Sequence, residues 1–288
     1  MIAVIDGEQA RTLALLERLV NQNSGSRNLA GVKAVADMVQ PEFEALGFAV
    51  RWLPMAHTGR AGHLVAVHSG KPGVKRLLLI GHLDTVFEPD SPFQTFKHAG
   101  DRVIGPGAAD NKGGVATIIA SLRAMKAAGT LKAANIEVFL TGDEEDAGSP
   151  QVAARADLIA SGKRADAALD FEGLSRDGGM DTGSIARRSV QSWTISVSAK
   201  SGHSSGVFGD DGDGAIYALA QMLSAIRTEL SEPNLTLNIG MIGGGAEAAL
   251  AADQAHISAS GKTNIIPARA IASGDLRTLS PEIGRAHV

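Results

Sequence analysis

Cysteine is absent from this chain of 288 residues. That absence excludes disulfides and thiolate zinc sites, so any metal ion must be held by His, Asp and Glu. An excess of positive charge is also missing: 27 Lys and Arg stand against 31 Asp and Glu, for a net charge of -4. With no basic stripe, neither nucleic acid nor an anionic membrane surface is an expected partner. No apolar run approaches the roughly 18 residues that a membrane span needs. The opening "MIAVIDGEQA" lacks the basic start and long apolar segment of a signal peptide. The cytoplasm is the expected compartment, with the periplasm or secretion as the alternative if a leader precedes these residues.

What is present is apolar material enough for a large core: 44% of the 288 residues are hydrophobic, and the length suggests about two domains. Leu13, Leu16 and Val20 share a helical face, and a second helical pattern runs from Val32 to Leu46, disturbed by Pro41. Short apolar runs then alternate with helices. "HLVAVH" at 63–68, "RLLLIGHL" at 76–83, "NIEVFLTG" at 135–142 and "ADAALDFE" at 165–172 read as strands with little alternation, as in a sheet covered on both faces. Val115, Ile118, Ile119, Leu122 and Met125 mark an amphipathic helix ending at Gly129. This grammar predicts an α/β fold with a mostly parallel sheet flanked by helices. After Arg188 the character changes: "SWTISVSAK", a helix over Ala215–Ile226, "NLTLNIGMI" and "ARAIASGDLR" predict a smaller α+β domain with an open antiparallel sheet.

Ionisable groups recur where the first domain's strands end, which is where open α/β sheets place their ligands. They are His82 with Asp84, Asp110 in "GPGAADNKGG", the run Asp143-Glu144-Glu145-Asp146, and Glu172 in "LDFEG". Each alone has a plain structural reading: a satisfied histidine, a helix cap, a solvated turn, an edge carboxylate. Their convergence does not. Two carboxylates about 4 Å apart repel by roughly 4 kcal/mol at an effective dielectric near 20, so gathering several requires protonation or a multivalent cation. A divalent metal fits best, and imidazole with carboxylates suits zinc, cobalt or manganese. Asp84, two residues beyond His82, is placed to orient the imidazole through its other nitrogen.

The ordered set "GHLDTV", "GPGAADNKGG", "TGDEED", "DFEG", "SGHSSG" and "TNIIPARAIASGDLR" resembles the M20 co-catalytic metallopeptidases, a family that includes glutamate carboxypeptidases, aminoacylases and succinyl-diaminopimelate desuccinylase-like enzymes. The resemblance runs from about residue 8 to 282 and implies a zinc-exopeptidase-like catalytic domain with an inserted ferredoxin-like lid, often used for homodimerisation. It implies two zinc ions, with His82 and Glu172 on one, Asp110 bridging both and Glu145 on the second. Asp84 matches the orienting aspartate and Glu144 the general base. A cis peptide bond between Asp110 and Asn111 is implied as well. In the lid, His203 matches a histidine that approaches the substrate carbonyl, often across a dimer interface. Asn264 and Arg277 match residues that grip the substrate's carboxylate. The implied chemistry is hydrolysis of an amide next to a free carboxylate, in a small peptide or N-acyl amino acid.

The family pattern asks for one more ligand, a histidine in a C-terminal segment that returns to the catalytic domain. The chain ends before it, soon after "GDLRTLSPE", so the lid is expected to be incomplete. The final "IGRAHV" resembles the translation of a common sequencing-library adapter, and its His287 matches nothing in the family. The expected organisation is therefore a catalytic domain at 1–188, an incomplete lid at 189–282 and a non-native tail at 283–288, in a C-terminally truncated fragment. Two rival readings stay open: a serine hydrolase built on Ser204 of G-x-S-x-G at 202–206, and a non-catalytic metal-binding or dimerisation module.

Overall fold

The computed structural model describes residues 1–185, 188–252 and 254–279. The suspected tail with His287 lies outside the described residues. Residues through Thr182 form one compact unit and those from Gly183 onward a second, whereas the sequence placed the division at 188. Among the described residues no helix is long and apolar enough to cross a membrane.

The first unit opens with α1 (Ile2–Gly7), α2 (Gln9–Asn21) and α3 (Leu29–Glu44). Leu15, Leu19 and Val20 are the buried residues of α2, a stripe shifted from the predicted Leu13 and Leu16. The Asn28 side chain accepts from the Gly31 amide and caps α3. Pro41 lies inside α3 without ending it. Strands β1 (Ala49–Pro54), β2 (Gly62–His68) and β3 (Arg76–His82) follow, then a short hairpin of β4 (Lys97–Ala99) and β5 (Arg102–Ile104). Helix α4 (Lys112–Ala127) is terminated two residues on by Gly129 at φ 74°, a left-handed position that suits glycine. The unit closes with β6 (Asn135–Thr141), α5 (Gln151–Arg164), β7 (Ala167–Asp170) and a hairpin of β8 (Ser175–Asp177) and β9 (Met180–Thr182).

Five of these strands form a mixed sheet in the order β1-β2-β6-β3-β7. β3 runs parallel to both β6 and β7, but β2 is antiparallel to β1 and to β6. The prediction of a mostly parallel sheet is corrected at that edge. The links on either side of β2 are too short for a helical crossover, and short links reverse the chain. β1 itself was not anticipated, because Arg51 and Pro54 interrupt its apolar pattern. Alternation along the strands sends Leu64, Ala66, Leu79, Val138 and Leu140 toward α2, α3 and α4, where they join Leu19, Val35, Phe43 and Ile118 in the main core. Val65, Leu78 and Phe139 pack on the other face with Leu158 of α5. β7 is exposed along its whole length, so the expected two-sided cover fails at that edge.

In the second unit, β10 (Ser189–Ser198), β16 (Arg269–Thr278) and β12 (Thr236–Gly245) make an antiparallel sheet in that order, with β16 central. Helix α6 (Gly214–Glu229) lays Ala215, Leu219 and Leu223 on Ala270 and Ala272. Two small pairs complete it: β11 (Gly202–His203) with β15 (Ile265–Ile266), and β13 (Glu247–Leu250) with β14 (Ile257–Ser260). This is the open α+β arrangement that the alternating pattern predicted.

Phe43 has no solvent exposure and sits in the main core. Phe43→Ala is expected to lower stability by about 3–5 kcal/mol. Urea unfolding measures it against Val152→Ala, at a residue that is 82% exposed, where the change should stay within about 0.5 kcal/mol.

Candidate metal centre

Four segments of the first unit deliver the predicted side chains to one end of the sheet: His82 closes β3, Asp110 precedes α4, the acidic run follows β6 and Glu172 follows β7. Nε2 of His82 lies 2.8 Å from Oδ1 of Asp110 and 3.6 Å from Oε1 of Glu172. Ligand atoms of the three lie within 4.8 Å of one another, and among the described residues this is the group that could hold a metal ion. One imidazole and two carboxylates form a donor set suited to zinc, cobalt or manganese. Burial, opposed by His82 and reinforced by Asp110, pushes the Glu172 carboxyl up to about 7. Burial would lower the His82 imidazole, yet the hydrogen bond and charge of Asp84, with Asp110 and Glu172 behind them, push it up to about 9. A divalent cation among these groups would offset the repulsion between the acids.

Asp84 is fully buried and holds the arrangement in register. Its Oδ2 accepts the Ser26 hydroxyl at 2.6 Å and the Glu145 amide at 3.1 Å, while Oδ1 accepts the Glu144 amide at 3.0 Å. Oδ1 also lies 3.3 Å from Nδ1 of His82, and that nitrogen is 3.1 Å from the backbone carbonyl of Asp84. With Nδ1 engaged on this side, Nε2 faces the acids. Burial would raise the Asp84 carboxyl, but the donors from His82 and Ser26, the His82 charge and the Glu144 amide hold it below the usual carboxylate range.

The acidic run after β6 divides its labour. Asp143, fully buried, accepts Nη1 of Arg155 at 2.6 Å and the Gly148 amide at 2.8 Å. Asp146 pairs with Arg27 at 3.0 Å and Arg60 at 2.7 Å. Glu144, held between them by its amide, is exposed. Glu145 lies outside the trio, although burial and the charge of Asp110 push its carboxyl above the ordinary range. Three of the four predicted ligands are therefore gathered, with the fourth in electrostatic reach. Asp110 is not a helix cap: Asn111 occupies that position, and the Asp110–Asn111 peptide bond is cis, as the resemblance implied. The buried Asn111 side chain accepts the His82 amide at 3.2 Å and donates to the Phe171 carbonyl at 2.8 Å.

Ser26, Arg27, Arg60, Asn111 and Arg155 were not anticipated. Ser26 and Arg27 sit in "NSGSRN", which reads as an ordinary turn, and nothing along the chain announces their partners. In the second unit, β11–β15 pairing brings His203 beside the strand that follows Asn264, whose carbonyl accepts the Ser204 amide at 3.0 Å. Nδ1 of His203 meets Oγ of Ser205 at 2.9 Å. Ser204 is followed by a single 3-10 turn, Ser204–Gly206, and not by a helix, so the serine-hydrolase reading lacks its nucleophile elbow. Arg277 is exposed near the far end of β16, roughly 26 Å along the strand from Arg269, with Nε on Oδ2 of Asp275 at 2.7 Å.

An open α/β sheet with side chains able to hold a metal gathered beyond its strand ends defines the class of protein. A family model described as peptidase family M20/M25/M40 matches residues 78–264, and the chain belongs to that family. It is 28% identical over 272 residues to carboxypeptidase G2 of a Pseudomonas species, spanning 94% of this chain and 60% of that protein. A succinyl-diaminopimelate desuccinylase of Novosphingobium aromaticivorans is 32% identical over 200 residues, 66% of this chain and 51% of the enzyme. The chain thus spans between about half and three fifths of the length of these curated relatives. The crystal structure of a tripeptidase from Staphylococcus aureus shares the fold, with a TM-score of 0.74 at 22% identity over 96% of this chain and 68% of that one.

Arg155→Ala would strand the buried Asp143 carboxylate with one fewer charged partner. A loss of about 3–5 kcal/mol is expected in urea unfolding at neutral pH. Arg176→Ala, which breaks the exposed pair with Asp181, should cost less than about 1 kcal/mol.

Proposed function

We propose that these residues carry the metal-holding part of an M20-type hydrolase that cleaves an amide bond next to a free carboxylate, as in a dipeptide, a C-terminal peptide residue or an N-acyl amino acid. The observation that carries this reading is the approach of His82 Nε2 to Asp110 and Glu172, with Asp84 behind the ring. In it, His82 and Glu172 would hold one ion and Glu145 a second, with Asp110 contributing to both. Zinc suits these donors best, with cobalt or manganese as alternatives. Such ions, when bound, supply a Lewis acid for the scissile carbonyl and make a water acidic enough to attack near neutral pH.

The chain's own residues do the rest. Glu144 is exposed while its amide is fixed by Asp84, so its carboxylate accepts the attacking water's proton and returns it to the leaving nitrogen. Its neighbour Glu145 is partly buried and feels the charge of Asp110. Adjacent positions thus separate proton transfer from metal binding. His203 contacts the carbonyl, and Asn264 and Arg277 take the substrate carboxylate, Arg277 through its planar fork. Because Arg277 lies near the opposite end of β16 from the segment that carries Asn264, both reach one substrate most simply in a homodimer built through the second unit.

In a chain extended to the length of these relatives, Glu144→Gln should retain zinc binding yet lower hydrolysis of dipeptides and N-acyl amino acids by about 10²–10⁴-fold. Unchanged turnover in that variant, or equal turnover of substrates with an amidated carboxylate, would overturn the reading.

The titration of the ligands sets a second expectation. At pH 6 both His82, near 9, and Glu172, near 7, carry protons that an incoming ion must displace, whereas at pH 8 chiefly His82 does. Zinc affinity should therefore rise with pH, releasing about two protons per ion near pH 6 and about one near pH 8. Calorimetry in buffers of different ionisation enthalpy measures both.

A further inference from the structure

We propose that Ser26 is a positioning residue for the metal centre, its hydroxyl fixing the plane of the Asp84 carboxylate that aims His82. The inference rests on the reading of His82 as a metal ligand. The torsion that turns an aspartate carboxylate is broad and nearly featureless, so only surrounding donors decide where its oxygens point. Oδ2 of Asp84 has two such donors, the Ser26 hydroxyl at 2.6 Å and the Glu145 amide at 3.1 Å. Of the donors to that oxygen, the serine makes the shorter contact. Rotation of the carboxylate would carry Oδ1 away from its 3.3 Å approach to His82 Nδ1 and release the Glu144 amide together with it.

The loop that presents Ser26 is seated independently of this hydroxyl. The Ser26 amide donates to the Thr85 carbonyl at 3.2 Å, the Thr85 amide donates to the Ser24 carbonyl at 2.9 Å, and the Arg27 amide donates to Glu88 at 3.0 Å. Gly25 makes this approach possible, since a Cβ there would lie 2.8 Å from the Glu88 Cα. Ser24, two residues away, offers the contrast: its hydroxyl is equally buried and finds no partner among the described residues. One hydroxyl of the pair is wired to the centre, and the other is not.

Ser26→Ala and Ser26→Cys remove or weaken the donor at nearly constant volume, and either serves if the other fails to fold. Cobalt(II) is the probe, with Ser24→Ala as control. The expected result is cobalt affinity about tenfold weaker in the Ser26 variants, with an altered d–d absorption spectrum. The urea midpoint of the metal-free Ser26 variants should fall below that of the control, because the buried Asp84 carboxylate loses a hydrogen bond, so the cobalt spectrum and not the midpoint reports the positioning role. Wild-type affinity and spectrum in the Ser26 variants would overturn the proposal, as would a lowered urea midpoint with no spectral change. His82→Ala separates the two levels. Cobalt binding that survives it with an unchanged spectrum refutes the metal reading itself, whereas binding lost in His82→Ala but untouched in Ser26→Ala refutes only the role of Ser26.

Discussion

The carboxylate of Asp84 has no solvent exposure and accepts hydrogen bonds from an N-terminal loop, through Ser26, and from the turn after β6, through the amides of Glu144 and Glu145; it also faces the imidazole of His82 at the end of β3. A charge so buried is tolerated only when donors surround it, because an unpaired one costs several kcal/mol. Three chain segments are consequently held at fixed distances by one anion. The position of the imidazole and the start of the acidic turn are set together.

Around that point the first unit gathers acids against their mutual repulsion. Burial first, and then the charge of Asp110, raises the carboxyls of Glu172 and Glu145, and His82 opposes the rise in both. The flanking members of the acidic run are neutralised elsewhere, Asp143 by Arg155 and Asp146 by Arg27 and Arg60. Guanidinium groups therefore stake the turn at both ends while its two middle glutamates stay available. A solvated acidic turn, the plain reading of the same four letters, would have no use for a fully buried first aspartate.

Much of this was legible along the chain because ligand chemistry and strand ends leave local marks. "GHLD" and "DFEG" each place an ionisable residue after an apolar run, and α4 and α6 show the helical spacing of their buried positions. β1 and the reversed β2 were not legible, since strand direction depends on links whose length matters more than their composition. Nor were Ser26 and Asn111, whose role appears only when segments 58 and 60 residues apart come together. Periodicity reports which face of an element is covered, and a hydrogen bond between distant turns has no periodicity. The stripe on α2 shows the same limit at smaller scale: Leu13, Leu15, Leu16 and Leu19 are all apolar, and tertiary packing alone decides which of them is inward.

The sequence distances between the partners of Asp84 also bear on the order of events during folding. Ser26 is 58 residues from it and Glu144 is 60 residues from it, so both contacts close large loops and bring their entropic cost before any reward. Helices α3 and α4 can form from neighbours, but the cluster of His82, Asp110 and Glu172 has no local precursor and assembles only once the segments that carry and brace it have docked. An ion that bound only the finished cluster would then act as a latch on the first unit, stabilising it by mass action.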